Sequence, residues 1–145
     1  MLPDLHIAHL TKAPQQNVDL IRNKLFAFNA KTLNLPASYK SEAIHLFLRD
    51  EQHNLYGGII ADISWKALQI YTFWIEEGFR GKGYGVQLMQ KAETIARERG
   101  CKLILLETTS FHSIEFYRAY GFEEVGKIED FPEGYTYFYF KYELN

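Results

Sequence analysis

The sequence predicts an α+β fold, a mixed α/β arrangement of three layers in which helices flank a central, mostly antiparallel sheet. Three strand-like runs follow one another over residues 44–75, and consecutive strands are usually antiparallel neighbours. A strand–helix–strand section then covers residues 68–108, and such a section joins parallel strands by a crossover. The 145 residues suit one domain, so we expect a single domain over residues 1–145.

The first half of the chain is predicted to contain four strands and one helix. Apolar residues at Val18, Ile21 and Leu25 recur at helical spacing, which predicts a helix over residues 15–33. Pro36 favours the end of this helix, because a residue that precedes proline avoids the helical region. Runs rich in branched and aromatic residues predict strands over residues 5–10, 44–49, 55–63 and 68–75.

The second half is predicted to alternate between helices and strands before a final hairpin. An amphipathic helix covers residues 86–99 with Gly100 as its C-terminal cap, and a mostly apolar strand follows over residues 102–108. Ser110 is the expected N-cap of a short helix over residues 110–120. Two aromatic-rich strands complete the chain over residues 122–129 and 135–144.

Composition argues against several classes of protein. The net charge is −2, with 16 Lys and Arg against 18 Asp and Glu, whereas a broad nucleic-acid surface needs a strongly basic face. The single cysteine, Cys101, precludes an internal disulfide, and the sequence contains no paired-cysteine metal motif. We find no signal peptide and no run of about 18 apolar residues. We therefore expect a cytoplasmic protein that uses no metal and has no nucleic-acid or membrane partner.

A glycine-rich loop joins a predicted strand to the second predicted helix. Gly81, Gly83 and Gly85 occupy alternate positions in it, and Arg80 and Lys82 lie beside them. Glycine allows main-chain N–H groups to converge and allows a ligand to approach the backbone closely. The free N–H groups and the positive dipole end of a helix start favour phosphate, and nearby cationic side chains strengthen that preference. The loop therefore predicts a phosphate-binding site.

The spacing of the loop distinguishes among phosphate ligands. A nucleoside-triphosphate loop requires serine or threonine directly after its glycine–lysine pair, whereas Gly83 follows Lys82 here. A dinucleotide loop requires glycine or alanine at its last position, where this chain has Val86 or Leu88. Glu107 nevertheless ends the next predicted strand, near the position of a ribose-binding acid. A small dinucleotide-binding protein therefore remains an alternative.

Two motifs occur in a fixed order in the second half of the chain. Residues 80–85 are Arg-Gly-Lys-Gly-Tyr-Gly, and residues 116–122 are Phe-Tyr-Arg-Ala-Tyr-Gly-Phe. The first resembles the Arg/Gln-x-x-Gly-x-Gly/Ala signature of the GNAT superfamily of acetyl-CoA-dependent N-acetyltransferases, and the second resembles that family's Tyr-x-x-x-Gly-Phe element. The resemblance covers roughly residues 68–144 and implies the GNAT-type fold.

The resemblance implies that coenzyme A lies against the glycine loop and the end of the preceding strand. Main-chain N–H groups of the loop would hold its pyrophosphate, and those at the strand end would contact its pantetheine and the acetyl carbonyl. Phe73 and Glu76 are near alternatives at the strand end. The family often has an asparagine where this chain has Ser110, and that asparagine forms a hydrogen bond with the coenzyme. In this chain the serine would form the hydrogen bond instead. The implied coenzyme-binding residues are Trp74, Ile75, Arg80, Gly81, Lys82, Gly83, Tyr84, Gly85 and Ser110.

The resemblance also implies which side chains take part in the chemistry. Tyr117 matches a tyrosine that usually lies near the coenzyme sulfur. We expect it to be the general acid, since a phenol of pKa ~10 can protonate a thiolate of pKa ~8.5. An alkyl amine of pKa ~10.4 must lose a proton before it attacks, so a base is also needed. Glu107 is the first candidate, and Glu76, Glu77 and His112 remain alternatives.

The function implied by the resemblance is that of an acyltransferase with acetyl-CoA as its cosubstrate. We expect direct transfer of the acetyl group to a primary amine within a ternary complex. Acidic residues and aromatic faces suit a small cationic amine as the acceptor, and a protein N-terminus or lysine is the alternative acceptor. The enzyme is expected to be a monomer or a homodimer, and a non-catalytic acyl-CoA sensor that uses the same loop is the other alternative.

Overall fold

The computed structural model describes residues 1–36 and 39–145, and the chain forms two units, Met1–Tyr39 and Lys40–Asn145. The first unit contains helix α1, Gln15–Thr32, which confirms the predicted first helix. The strand predicted over residues 5–10 is wrong, because these residues form neither helix nor strand. An apolar run forms a strand only where a neighbouring strand supplies hydrogen bonds, and no described strand pairs with this segment. A single domain over the whole chain stays a prediction.

The second unit contains one sheet of six strands in the order β1-β2-β3-β4-β6-β5. All neighbouring strands are antiparallel except β3 and β4, which are parallel and are joined through α2. This arrangement confirms the predicted mixed sheet and its strand–helix–strand crossover. The elements are β1 Glu42–Arg49, β2 Leu55–Ser64, β3 Ala67–Ile75, a 3₁₀ turn Glu77–Phe79, α2 Tyr84–Glu98, β4 Leu103–Thr109, α3 Ile114–Tyr120, β5 Glu123–Glu129 and β6 Thr136–Glu143.

The core of this unit lies between the sheet and the helices α2 and α3, which occupy one face of the sheet. Residues spaced by three or four along α2 form its buried stripe, as its amphipathic pattern predicts. The Tyr120 hydroxyl of α3 donates a 2.7 Å hydrogen bond to Glu93 Oε1 of α2, which joins the two helices. The most deeply buried large side chains are Phe140, Ile59, Leu68, Met89 and Ile104.

The parallel strands β3 and β4 separate halfway along their length. They are paired only from Ala67 with Leu103 to Ile70 with Leu106. Beyond these pairs β3 continues along β2 as far as Ile75, whereas β4 continues along β6 as far as Thr109. A gap therefore opens within the sheet at the ends of β3 and β4.

A β-bulge in β3 lies at the point of separation. Ile60 of β2 pairs with Thr72, and the next residue of β2, Ala61, pairs with Ile70. Tyr71 is consequently the extra residue of β3, and a bulge of this kind bends its strand and increases its twist. The bulge thus helps to direct the end of β3 away from β4.

The predicted N-cap of α3 is wrong, because this helix begins at Ile114 and Ser113 occupies the cap position. Ser110 instead continues the pairing of β4 with β6. Its N–H donates to the Thr136 carbonyl at 2.8 Å, and its hydroxyl accepts from the Thr136 N–H at 3.0 Å. The serine side chain serves the sheet rather than the helix, since its hydroxyl satisfies a strand N–H.

The structure also bears on membrane spans, metal sites and the single cysteine. Within residues 1–36 and 39–145 no helix is long and apolar enough to cross a membrane. Over the same residues no three His, Cys, Asp or Glu side chains form a group that could hold a metal ion. Cys101 is buried in the core with 6% of its surface exposed, and burial raises the pKa of its thiol. Cys101 therefore packs as part of the hydrophobic core.

Candidate active site

A cavity of about 930 Å³ fills the gap between the ends of β3 and β4. This volume lies within the range of small-molecule binding sites. The start of α2 and part of α3 border the cavity on one face of the sheet, and β6 contributes to the opposite face. Its lining comprises residues 70–75 and 106–109, Phe79, Arg80, Gly81, Gly83, Gly85, Val86, Phe111, His112, Ser113, Phe116, Tyr117 and Tyr137.

The glycines of the loop are required for two different reasons. Gly81 and Gly83 have φ angles of 71° and 90°, in the left-handed region that side chains with a Cβ disfavour. No atom lies within 4 Å of a Cβ built on either residue, so only backbone conformation demands glycine there. At Gly85, by contrast, a Cβ would lie 3.1 Å from the ring of Phe116. The loop therefore combines a tight turn with close packing of α2 against α3.

The first turn of α2 presents unpaired main-chain donors to the cavity. The first hydrogen bond of the helix runs from the Gln87 N–H to the Gly83 carbonyl at 3.1 Å. The N–H groups of Tyr84, Gly85 and Val86 consequently have no acceptor within the helix. No side chain of the described residues caps this end, and Gly85 and Val86 line the cavity. These donors and the positive dipole end suit an anionic group such as a phosphate.

The N–H and carbonyl groups at the end of β3 point alternately towards β2 and into the gap, from one residue to the next. The Glu76 N–H donates to the Tyr56 carbonyl at 2.8 Å, so these two residues form a hydrogen-bonded antiparallel pair. Ile75, opposite Gly57, then belongs to a pair without hydrogen bonds. Its N–H and carbonyl therefore point away from β2 and into the gap.

The same alternation distinguishes the predicted contacts at the strand end. Phe73 has the orientation of Ile75, and its main chain faces the gap, whereas the main chain of Trp74 is directed towards β2. Of the predicted strand-end residues, Ile75 and the near alternative Phe73 thus present main-chain donors to the cavity. Trp74 contributes its side chain, which lines the cavity.

Arg80 is held in place by two contacts at the edge of the cavity. Its Nε donates a 2.7 Å hydrogen bond to the Ile75 carbonyl, and its guanidinium lies 4.4 Å from the centre of the Trp74 ring. The structure thus brings most of the predicted coenzyme-binding residues to one cavity. Three of them, Lys82, Tyr84 and Ser110, do not line it.

Tyr117 forms part of the cavity wall on the side of α3. Only 9% of the residue is exposed, and its ring packs against Phe73, Phe116 and Phe140. Burial raises the pKa of its phenol to about 12. The hydroxyl has no hydrogen-bond partner within the part of the chain that the structure describes, so it is available to a ligand.

Glu107 lines the cavity on the opposite face of the sheet. Leu106 and Phe140 form a cross-strand pair in the core, so the next pair, Glu107 and Tyr139, faces away from α2 and α3. The Glu107 side chain is exposed, and its Oε2 accepts a 2.8 Å hydrogen bond from the Tyr137 hydroxyl. This hydrogen bond is the largest of the effects that raise the pKa of Tyr137 to about 12.

The alternative candidates for the base occupy different places. His112 lines the cavity, and its ring lies 4.8 Å from that of Phe111. Glu76 and Glu77 are absent from the lining of the cavity. Geometry therefore retains Glu107 and His112 and disfavours the two glutamates beside the loop.

Sequence reasoning did not single out several residues of the cavity wall, among them the hydroxyl-bearing Tyr71, Tyr137 and Thr109. Tyr71 and Tyr137 line it with phenol groups that donate to Asp62 and Glu107. Thr109 lines it too, and its buried hydroxyl has no hydrogen-bond partner among the described residues. The aromatic run near the end of the chain was the only available signal for Tyr137, whereas the bulge at Tyr71 depends on strand register.

The comparison with known families agrees with this geometry. Residues 15–122 match the acetyltransferase (GNAT) family, and this match spans more than half of the chain. The chain belongs to the GNAT family of acetyltransferases. The predicted family, fold and enzyme class are thereby confirmed. The glycine loop of this GNAT chain directly precedes and forms the start of α2.

Two known acetyltransferases are similar to this chain in sequence. The blasticidin-S acetyltransferase of Streptomyces morookaense is 36% identical over 87 residues, which are 59% of this chain and 64% of that protein. The chain thus matches less than two thirds of that relative's length. A crystal structure of an acetyltransferase from Bacillus cereus is 33% identical, covers 94% of this chain and 98% of its own, and superposes with a TM-score of 0.81.

A second solved structure shares the fold and contains a coenzyme. This Bacillus anthracis protein was solved in complex with acetyl coenzyme A, at 21% identity and a TM-score of 0.64. The match covers 78% of this chain and 72% of that chain. This likeness shows that the two proteins share a fold, and acetyl coenzyme A is the ligand of that neighbour.

Proposed function

We propose that this GNAT enzyme transfers an acetyl group from acetyl-CoA to a primary amine of a small cationic acceptor, by direct attack within a ternary complex. The observation that carries the proposal is the cavity between β3 and β4. It places free N–H groups of α2, the end of β3 and the Tyr117 hydroxyl around one space, with Glu107 on the other face of the sheet. Such a space can hold a donor and an acceptor on opposite sides of a reaction centre.

The residues around the start of α2 fit the pyrophosphate of coenzyme A. Main-chain N–H groups at Tyr84, Gly85 and Val86 lack helical acceptors, and Arg80 adds positive charge. Acetyl-CoA would supply the thioester that undergoes attack. Lys82 lies within the loop, between Gly81 and Gly83, and does not line the cavity. Its positive charge can add long-range attraction for the pyrophosphate.

The end of β3 supports polarisation of the acetyl carbonyl. The N–H groups of Phe73 and Ile75 face the gap and are not used within the sheet. A preorganised donor of this kind contributes ~2.7–4 kcal/mol to stabilisation of the transition state. Ile75 is the preferred donor because Arg80 fixes its carbonyl by a 2.7 Å hydrogen bond.

Tyr117 is proposed as the general acid that protonates the leaving thiolate. Its pKa of about 12 keeps the phenol protonated at neutral pH, although this value makes it a weaker acid than an exposed tyrosine. The same burial raises the basicity of a thiolate that forms beside it. The phenol can therefore donate a hydrogen bond to the sulfur and transfer its proton as the C–S bond breaks.

Glu107 is proposed as the base that accepts the proton of the acceptor amine. It lies on the face of the sheet opposite Tyr117, so acid and base are on different sides of the gap. A carboxylate also attracts the protonated amine before transfer. Aromatic rings of Tyr71, Phe111 and Tyr137 line the same cavity and suit a cationic acceptor. The name of the blasticidin-S relative supports a small molecule as the acceptor.

Purified protein tests the proposal in two steps. Thermal unfolding is measured first with acetyl-CoA, coenzyme A, NAD and NADP, because a ligand of the native state raises stability by about 2.7 kcal/mol at a hundredfold excess over Kd. Release of coenzyme A thiol is then measured over a panel of amines. We expect stabilisation by acetyl-CoA and amine-dependent thiol release.

The alternatives give different results in the same experiment. Stabilisation by acetyl-CoA without amine-dependent thiol release would indicate a non-catalytic sensor, and stabilisation by NAD or NADP alone would indicate a dinucleotide-binding protein. Mass determination in solution tests the proposed monomer or homodimer. The proposed cytoplasmic location is tested by cell fractionation.

A further inference from the structure

Tyr137 lies beside Glu107 on the face of the sheet opposite α2 and α3. Tyr137 pairs with Thr109 in the β4–β6 ladder, and Glu107 pairs with Tyr139. The Tyr137 and Glu107 side chains are therefore diagonal neighbours on one face, within reach of each other. The Tyr137 hydroxyl donates to Glu107 Oε2 at 2.8 Å, and both residues line the cavity.

Nothing else in the described residues holds the Glu107 carboxylate. The side chain is exposed. Within residues 1–36 and 39–145, no Lys, Arg or His forms an ion pair with it. The hydrogen bond from Tyr137 is the only hydrogen bond that its carboxylate forms within the same residues. A glutamate has considerable rotamer freedom, which an exposed carboxylate retains unless a partner fixes it. Tyr137 is therefore the group that determines where this carboxylate lies.

Tyr137 is itself well supported as a donor. Its ring lies 5.2 Å from that of Phe131 and 5.5 Å from that of Tyr139. Its backbone is paired on both sides, with Thr109 of β4 and with Ile128 of β5. The phenol also remains protonated well above neutral pH, because its pKa is about 12.

We propose that Tyr137 is a positioning residue that holds the Glu107 carboxylate towards the acceptor amine. The proposal rests on the proposed function, in which Glu107 is the base. With Oε2 engaged by the phenol, Oε1 is left to accept the proton of the amine. A phenol hydrogen bond to a carboxylate is of the strong, charge-assisted kind, so it can fix the orientation of the carboxylate. Tyr137 touches the reaction only through Glu107.

The test compares Tyr137→Phe with Tyr139→Phe, which removes a hydroxyl from the same face of the same strand. Steady-state thiol release is measured for both variants, for Glu107→Gln and for the double variant Glu107→Gln/Tyr137→Phe. We expect Tyr137→Phe to lower kcat by about tenfold or more, in line with the loss of a hydrogen bond to a charged group. The KM for acetyl-CoA should stay unchanged, and Tyr139→Phe should have a kcat within about twofold of the wild type.

The double variant distinguishes positioning from an independent role. If Tyr137 acts through Glu107, its replacement has little further effect once Glu107 is glutamine. Losses that multiply in the double variant, or a kcat of Tyr137→Phe equal to the wild type, would overturn the inference. A wild-type enzyme that releases no thiol with any amine would instead refute the proposed function, and the inference would fall with it.

A second readout does not depend on turnover. The ¹³Cζ resonance of Tyr137 is assigned through the backbone resonances of the labelled wild type and is titrated in the wild type and in Glu107→Gln. Loss of the carboxylate acceptor should lower the pKa of Tyr137 from about 12 towards the ordinary value of 10.0. An identical titration in both proteins would show that the two side chains do not interact, and the inference would be wrong. This measurement also covers the case in which Tyr137→Phe folds poorly.

Discussion

Tyr117 and Tyr137 line the same cavity, but their hydroxyl groups differ in hydrogen bonding. The pKa of each phenol is raised to about 12, in Tyr117 by burial and in Tyr137 chiefly by the hydrogen bond to Glu107. The Tyr137 hydroxyl is consequently engaged, whereas no described group bonds that of Tyr117. Only Tyr117 can therefore offer its proton to a bound molecule without first breaking a hydrogen bond.

Replacement of Tyr117 by phenylalanine tests the proposed general acid. Tyr117→Phe keeps the ring in the core and removes only the hydroxyl, so the fold should persist. We expect kcat for thiol release to fall by about 10²-fold or more, the range in which a general acid contributes. Binding of acetyl-CoA, measured by calorimetry, should change little. An unchanged kcat would remove this role from Tyr117.

Tyr120→Phe is the matched control for that variant. Its hydroxyl donates to Glu93 at 2.7 Å and lies outside the lining of the cavity. The loss of this hydrogen bond to a charged group should lower the free energy of unfolding by about 1.5–3 kcal/mol, discounted somewhat for partial exposure. The kcat should remain that of the wild type. A large effect on kcat in both variants would point to general destabilisation instead of acid catalysis.

The buried phenol of Tyr117 also predicts how stability depends on pH. Its pKa is about 12 in the folded protein against 10.0 in the unfolded chain, so the unfolded state loses its proton first. The contribution of Tyr117 is complete below pH 10 and is lost as the pH rises towards 12. Over that window the wild type should lose about 2–3 kcal/mol more of its free energy of unfolding than Tyr117→Phe. Urea unfolding at several pH values measures this difference, and parallel curves for the two proteins would contradict it.

The loop before α2 shows what a short element can specify by itself. Gly81 and Gly83 require the left-handed region, and Gly85 lies against Phe116, so each glycine has a local reason. The free N–H groups of Tyr84, Gly85 and Val86 follow directly at the start of the helix. We therefore expect the conformation of this loop to affect the proposed binding of acetyl-CoA.

Gly83→Ala tests that expectation. With φ at 90°, an alanine should cost roughly 1–2 kcal/mol of stability or should move the loop. A displacement that costs about 1 kcal/mol of ligand contact would weaken acetyl-CoA binding about fivefold, as measured by calorimetry. Gly78→Ala is the control, because Gly78 has no positive φ and a Cβ there meets no atom within 4 Å. Equal affinities in the two variants would show that loop conformation does not control binding.

Elements with local signals were predictable from the sequence. The amphipathic pattern of α2, its glycine loop and the strand–helix–strand order depend on residues close together in the chain, and all three are found in the structure. The strand predicted over residues 5–10 failed because a strand also needs a partner, which a local pattern does not reveal.

Features that depend on strand register could not be predicted. The bulge at Tyr71 and the separation of β3 from β4 after Ile70 arise from pairings between distant parts of the chain. The Ser110 hydroxyl accepts a hydrogen bond from the N–H of Thr136, which lies 26 residues further along the chain. The hydrogen bond between Tyr137 and Glu107 likewise spans 30 residues. The glycine loop was therefore found from sequence, whereas the partners of the catalytic candidates were not.

The second unit of the molecule is organised around the interruption of its sheet. Where β3 and β4 part, the cavity is bordered by residues from both faces of the sheet. Tyr117 and the start of α2 lie on the face covered by helices, and Glu107 and Tyr137 lie on the other. An acyl donor and an amine can thus reach one reaction centre from opposite sides. This geometry supports direct transfer, since no covalent enzyme intermediate is needed to carry the acyl group between sites.

A crystal structure of the protein with acetyl-CoA tests this account most directly. We predict that the pyrophosphate lies within hydrogen-bond distance of the main-chain N–H groups that begin α2, near Gly85 and Val86. The thioester should lie in the gap between β3 and β4, with its carbonyl towards the Ile75 N–H and its sulfur towards Tyr117. A coenzyme bound elsewhere on the protein, or a gap closed to it by side chains in crystals that contain saturating acetyl-CoA, would contradict the account.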